Sequence, residues 1–216
     1  MRLLDLFCGA GGAAMGYAQA GFVEIVGVDT RPQPRYPFRF VQGDALEYLR
    51  CWGSEYDVIH ASPPCQGYSR LRHLPWLKDK RYPLLLEPLH DLLAALGKPW
   101  VIENVETAPL DGVVLCGASL GLRVYRHRRF ASNLLLLAPA HRQHTAVIGH
   151  GRGLNRLRTM PRSLGYISVA GHQAFSRTEA RTAMEIDWMT LAELTQAIPP
   201  AYTRWVGAQL LKALTP

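Results

Sequence analysis

Arg2-Leu3-Leu4-Asp5-Leu6-Phe7-Cys8-Gly9-Ala10-Gly11-Gly12-Ala13-Ala14-Met15-Gly16-Tyr17-Ala18-Gln19-Ala20 decides the fold class. The first six residues read as a buried strand, the next five as a glycine-rich turn, and the rest as a closely packed helix of small and apolar residues. Strand, glycine turn and helix open a nucleotide-binding βαβ unit, where missing side chains let backbone N–H groups approach a ligand. Gly9, Gly11 and Gly12 do not fit G-x-G-x-x-G, so the turn alone does not choose between a ligand site and a plain tight turn.

The following units repeat the pattern. Glu24-Ile25-Val26-Gly27-Val28-Asp29 is a second strand ending in an acid about twenty residues on, where a carboxylate can hold ribose hydroxyls. Phe38 to Val41 gives a third short strand, leading through Gln42-Gly43 to Asp44. Consecutive βα units with acids and glycines at one sheet edge describe an adenosine-type site in an α/β, mostly parallel sheet flanked by helices.

The fourth strand, Tyr56 to His60, delivers Ala61-Ser62-Pro63-Pro64-Cys65-Gln66. Two prolines stop the ladder and stiffen the exit, fixing Cys65 at the strand edge where open α/β sheets bind ligands. Spacing alone leaves Cys65 evenly placed between nucleophile and core thiol. The basic, aromatic stretch after it, with Arg70, Arg72, Trp76 and Lys78, has the composition of a lid over an anionic, stackable ligand. A helix over 83–96 leads to a fifth strand, Trp100-Val101-Ile102, ending in Glu103-Asn104-Val105 and supplying a second catalytic candidate in Glu103.

Gly112 to Cys116 reads equally as strand or turn. A strand with alternating basic side chains, Arg126-His127-Arg128-Arg129-Phe130, continues toward Leu134-Leu135-Leu136-Leu137. Residues 138–174 lose periodicity. Two capping boxes, Ser176-x-x-Glu179 and Thr190-x-x-Glu193, open short helices, and Pro199-Pro200 starts the last one, over 201–213.

At 216 residues with 48% hydrophobic and 19% charged content, the chain can bury the core of a single domain, 1–216. No apolar run approaches the roughly twenty residues needed to span a bilayer, and Asp5 interrupts what a signal peptide would keep apolar. A cytoplasmic protein without membrane contact is expected. Cys8, Cys51, Cys65 and Cys116 are widely spaced, with no C-x-x-C pair and no zinc-finger histidine spacing, so neither disulfides nor a metal is indicated. A net charge of +7, with arginines and histidines crowded between Arg126 and Arg162, favours an anionic partner, nucleic acid first.

These residues together resemble the S-adenosylmethionine-dependent cytosine-C5 DNA methyltransferases. The resemblance rests on an ordered set: Asp5 to Gly12, Gly27-Val28-Asp29, Gly43-Asp44-Ala45, Ser62-Pro63-Pro64-Cys65-Gln66, Glu103-Asn104-Val105 and Arg126-His127-Arg128, with a closing segment around Ala197-Ile198-Pro199-Pro200. It implies a Rossmann-like methyltransferase fold and methylation of cytosine C5 in duplex DNA after the base has flipped out. Cys65 would attack C6 as a thiolate favoured by nearby basic groups. A protonated Glu103 would donate to N3, Arg128 would fix O2, and Arg126 would belong to the same catalytic set. S-adenosylmethionine would lie on Phe7, Gly9, Ala10, Gly11, Gly12, Asp29, Thr30, Asp44, Ala45, Pro64, Gln196 and Ala197, with Pro64 also shaping the cytosine pocket.

The sequence departs from the family pattern at Val124, where a glutamine is expected, and at Thr195-Gln196 in place of glycine-asparagine. The stretch 131–175 is short for a target-recognition domain, which implies a short or relaxed target sequence or a specificity partner for a monomeric enzyme. RNA, a free cytosine nucleotide, and a non-catalytic nucleic-acid-binding role are the alternative readings. A nicotinamide-dependent enzyme is disfavoured by the absent glycine fingerprint.

Overall fold

The computed structural model describes residues 1–69, 73, 75, 80–141, 144, 147–148, 165–170 and 175–215. In chain order the elements are β1 (Arg2–Leu6), α1 (Gly12–Ala20), β2 (Glu24–Asp29), β3 (Arg39–Gln42), α2 (Ala45–Trp52), β4 (Val58–Ala61), α3 (Leu86–Leu96), β5 (Trp100–Val105), β6 (Val113–Cys116), β7 (His127–Ser132), β8 (Val147–Ile148), β9 (Tyr166–Ile167), α4 (Arg177–Met184), α5 (Leu191–Gln196) and α6 (Pro200–Leu214). A seven-stranded sheet runs β3-β2-β1-β4-β5-β7-β6, with β8 and β9 forming a separate parallel pair. β1 to β5 pair in parallel, whereas β7 pairs antiparallel with both β5 and β6.

Gly112 to Cys116, undecided from sequence, thus supplies an edge strand, reached by a hairpin that parallel pairing would not allow. Leu134 to Leu137 extends no strand. Their side chains alternate in exposure, with Leu136 buried and Leu135 and Leu137 exposed. Val58 to Ala61 forms the fourth strand, two residues later than expected at its start, because Tyr56 closes a 3₁₀ turn over 53–55.

Alternation along β1 divides the core. Leu3 joins the cluster under α1 and α6, while Leu4 and Leu6 join the cluster carrying Leu49 of α2 and Leu89 and Leu93 of α3. Close approach of α1 to α6 depends on Gly16, where an added Cβ would lie 2.1 Å from the Pro200 carbonyl and 2.0 Å from Thr203 Oγ1. Thr203 then donates to the Ala13 carbonyl at 2.7 Å. Both capping boxes form, and Pro200 occupies the first turn of α6, where its missing N–H costs nothing.

Strand order reverses between β1 and β4, since β2 and β3 lie on one side and β5 on the other. The crevice above the C-terminal ends of those two strands is where such sheets take ligands. β1 delivers the glycine turn there and β4 delivers Pro63-Pro64-Cys65.

Candidate active site

A cavity of about 450 Å³ occupies that crevice, lined by the glycine turn, Asp29, Thr30, Ser62 to Gln66, Glu103, Arg128 and the start of the α5–α6 junction. Phe7 and Gly9 both adopt positive φ, 57° and 49°, turning the chain sharply out of β1. A Cβ at Gly9 would meet nothing within 4 Å, so the Gly9 backbone borders open space. Its N–H donates to Asp29 Oδ2 at 3.0 Å, locking the turn to the end of β2. Gly12 abuts the Ile198 carbonyl, 2.3 Å from where a Cβ would stand, which closes the cavity floor against the last helix.

Most residues expected to hold an adenosine-bearing ligand line this cavity: Phe7, Gly9, Ala10, Gly12, Asp29, Thr30, Pro64, Gln196 and Ala197. Gly11, Asp44 and Ala45 do not. Gly11 is backed by Tyr36 and Pro37, Asp44 Oδ1 caps α2 by accepting from Leu46 and Glu47 N–H at 2.9 Å each, and Ala45 is buried in that helix. The short polar side chain after β3 is spent on the orphan amides of the helix it starts.

The Cys65 turn is held by its own backbone and by Asn104. Tyr68 and Ser69 N–H donate to the Cys65 carbonyl at 3.0 Å, and Asn104 Nδ2 donates to the Pro63 carbonyl at 3.0 Å. The half-buried thiol lies in the cavity wall. Burial pushes it up, Arg128 pulls it down, and the net direction is upward, so the resting sulfur is a thiol. Arg128 and Arg126 act in the expected direction, toward the thiolate, and desolvation opposes them.

Glu103 lies within β5 rather than beyond its end, because the ladder continues to Val105 opposite Arg128. Arg128 is therefore a diagonal neighbour of Glu103 on one face, and its Nε stands 3.1 Å from Glu103 Oε1. The contact is one of charge without hydrogen-bond alignment, since Oε1 is buried and has no hydrogen-bond partner among the described residues. Burial raises the Glu103 pKa and outweighs the opposing pull of Arg128 and the Ser62 hydroxyl. Burial thus shifts this carboxyl toward its protonated form relative to a free glutamate, and Oε1 has no hydrogen-bond partner among the described residues.

Sequence reasoning missed the polar row behind Glu103. Asp5 and His60 are cross-strand partners, both fully buried beneath the cavity. Tyr17 OH and His60 Nδ1 are 3.0 Å apart, and His60 Nε2 and Ser62 Oγ are 2.9 Å apart. The Ser62 hydroxyl in turn donates to Glu103. One arrangement satisfies all three links: Tyr17 O–H donates to Nδ1, the Nε2–H of a neutral His60 donates to Ser62, and Ser62 donates to the carboxyl. The alternation of β4 could have shown a histidine on an otherwise apolar face, but not its partners.

Arg126, expected among the catalytic residues, does not line the cavity. Its buried guanidinium donates to the carbonyls of Ala197, Val169 and Thr195, the last at 3.0 Å. It clamps the α5–α6 junction behind Arg128, and Tyr202 OH donates to its own carbonyl. At the cavity rim Arg35 Nε pairs with Glu193 at 2.8 Å. Burial would push Glu193 up, but Arg35 and Thr190 outweigh it and hold the carboxyl at about 2. Arg70, Arg72, Trp76 and Lys78 of the expected lid lie outside the described residues, as does most of 142–164.

The family profile of the C-5 cytosine-specific DNA methylases matches residues 1–108. The chain belongs to that family. Among its relatives, the Type II methyltransferase M.HgiDI of Herpetosiphon aurantiacus is 32% identical over 170 residues, covering 71% of this chain and 53% of that protein. M.HgiGI of the same organism is 32% identical over 129 residues, 52% of this chain and 97% of that protein. M.AquIA of Picosynechococcus is 32% identical over 120 residues, and the chain spans 48% of it. The chain thus spans about half the length of M.AquIA and M.HgiDI. A methyltransferase fold is shared with a DNA modification methyltransferase encoded within an Escherichia coli prophage, at TM-score 0.67 and 15% identity over the whole of both chains. The Dnmt2 methyltransferase of S. pombe shares it at TM-score 0.60 and 12% identity, over 100% of this chain and 99% of that one. Among the described residues, no helix of this chain is long and apolar enough to cross a membrane.

Proposed function

We propose that this methylase transfers a methyl group from S-adenosylmethionine to C5 of a cytosine flipped out of duplex DNA. The observation that carries the reading is the meeting of Cys65, a buried and partly unsatisfied Glu103, and Arg128 in one cavity with the glycine turn. The cavity's donor set fits the cofactor. Phe7 offers an aromatic face, the Gly9 backbone borders open space, and the buried Asp5 Oδ1 in the wall has no partner among the described residues, as a cationic ligand group would require. When bound, the cofactor supplies an electrophilic methyl group on sulfur.

The chain's own residues then do the following. Glu103 donates its proton to cytosine N3, which makes the ring electron-poor at C6. The Cys65 thiol would first lose its proton to solvent water, with Arg128 favouring the thiolate; the sulfur would then add to C6 and place electron density on C5. After C5 has been alkylated, solvent water would take the C5 proton, the S–C6 bond would break to release the Cys65 thiolate and restore the ring, and N3 would return its proton to Glu103. The Ser62 link holds one carboxyl oxygen, leaving Oε1 to face N3, while Arg128 is placed for the ring's O2. Asn104 holds the turn that aims the sulfur.

Residues 131–175 would serve as a reduced target-recognition region within a single catalytic domain, acting alone or with a specificity partner. The test is to incubate the protein with methyl-labelled S-adenosylmethionine and, separately, duplex DNA, RNA and cytosine nucleotides, with Cys65→Ala as control. Label is expected in duplex DNA and lost in the variant. Transfer to RNA or nucleotide instead would reassign the substrate, transfer to none would end the enzyme reading, and transfer surviving Cys65→Ala would end the mechanism.

A further inference from the structure

We propose that Cys116, His127, His141 and His144 form a closed, tetrahedral Zn²⁺ site that clips the chain after β7 back onto the β6–β7 hairpin. One ligand atom from each of the four residues lies within 4.8 Å of all the others. His127 Nε2 is 3.0 Å from His141 Nε2 and 3.4 Å from His144 Nε2, and Cys116 Sγ is 3.3 Å from His144 Nε2. Ideal tetrahedral zinc, with bonds of about 2.0–2.1 Å to nitrogen and about 2.3 Å to sulfur, separates its ligands by about 3.4 Å (N···N) and about 3.6 Å (S···N). The three quoted spacings need only a few tenths of an ångström to accept the ion, and the remaining pairs, all within 4.8 Å, close by a small side-chain adjustment.

The scaffold supports convergence. Cys116 and His127 are register partners at one end of the β6–β7 ladder, so backbone pairing fixes two ligands before any metal arrives. His141 and His144 come from the following segment. Tyr125 packs edge-on against His127 and His144 with centroids 5.1 and 4.7 Å away, and Tyr166 covers His144 at 5.1 Å. Hydrogen bonding alone suits such a cluster poorly. Each neutral imidazole has one N–H to share, whereas a single cation satisfies all four inward atoms at once.

Donor chemistry selects the metal. Three imidazole nitrogens and a thiolate in tetrahedral array suit Zn²⁺, and oxygen-seeking Mg²⁺ or Ca²⁺ find no carboxylate in the set. With all four positions taken by protein, no water is activated and the site is structural. Its value lies in what it holds. Arg128 Nη1 donates to the His127 carbonyl at 2.8 Å, so the clip fixes the residue next to the arginine that faces Glu103. The linear spacing hides the set, because β-pairing and not sequence proximity joins Cys116 to His127.

The test uses the full chain without a histidine tag, purified without chelator, and needs no activity readout. Metal analysis should find about one zinc per chain in wild type and in the exposed-thiol control Cys51→Ser, and lose it in Cys116→Ser and His141→Ala. Wild type reconstituted with Co²⁺ should show the intense visible bands of tetrahedral cobalt together with a thiolate charge-transfer band, which Cys116→Ser lacks. No zinc in wild type even after incubation with Zn²⁺, a weak octahedral cobalt spectrum, or undiminished zinc in Cys116→Ser would each overturn the proposal. The cobalt spectrum of wild type decides the matter even where a variant does not fold.

Discussion

Replacing Asp5 or His60 should turn a nearly flat dependence of stability on pH into two opposite slopes. Both side chains are fully buried, and they face each other across the β1–β4 pair. Burial pulls His60 from 6.5 down to about 3. A folded-state pKa below the unfolded one means stability that is present above pH 6.5 and lost as acid charges the ring. Burial pushes Asp5 from 3.8 up to about 7, against the Tyr36 hydroxyl that donates to it. A carboxyl raised in this way has the reverse sign: its stability is fully present below 3.8 and lost as pH rises through about 7.

At ~1.4 kcal/mol per pH unit, going from about pH 7 to about pH 4.5 costs ~3 kcal/mol at His60 and returns ~3 kcal/mol at Asp5. The two nearly cancel in wild type. Asp5→Asn keeps an acceptor for Tyr36 and removes the titration, so it should lose ~3 kcal/mol over that interval. His60→Gln should gain a similar amount. Urea unfolding of the three proteins at each pH, by tryptophan fluorescence and circular dichroism, gives the slopes, and their differences cancel the other titrating groups. Three parallel profiles would refute the assignment of opposed buried titrations.

Two further outcomes follow from single contacts. Arg126→Ala leaves one buried carbonyl, at Val169, and two part-buried ones, at Ala197 and Thr195, without this donor, and the buried one alone costs ~1–3 kcal/mol, so unfolding should shift by at least ~1 kcal/mol; unchanged stability would show that Arg126 is no clamp. Glu103→Gln keeps the Ser62 hydrogen bond but cannot supply the acid proton, so kcat should fall by about 10²- to 10⁴-fold with the fold intact, and undiminished turnover would remove Glu103 from the proton transfer.

The sequence by itself determined what depends on local pattern. Alternating and continuous apolar runs placed the parallel strands, both capping boxes predicted their helices, and prolines and glycines marked the turns that carry Cys65 and Gly9. Those signals act over a few residues and survive without tertiary context. Only the tertiary structure decided which polar groups meet. Arg126 lies just before β7 and Arg128 within it, yet the first turns to backbone carbonyls at the α5–α6 junction and the second to Glu103. Asp29 and Asp44 both accept from backbone amides, but Asp29 ties the glycine turn to the cavity wall while Asp44 caps α2 away from it. Whether Cys65 rests as thiol or thiolate depends on desolvation, which sequence does not contain. The Tyr17–His60–Ser62 row and the Cys116–His127–His141–His144 cluster arise because pairing and packing bring together residues far apart in the chain, and hydrogen bonds and metal coordination depend on distance in space.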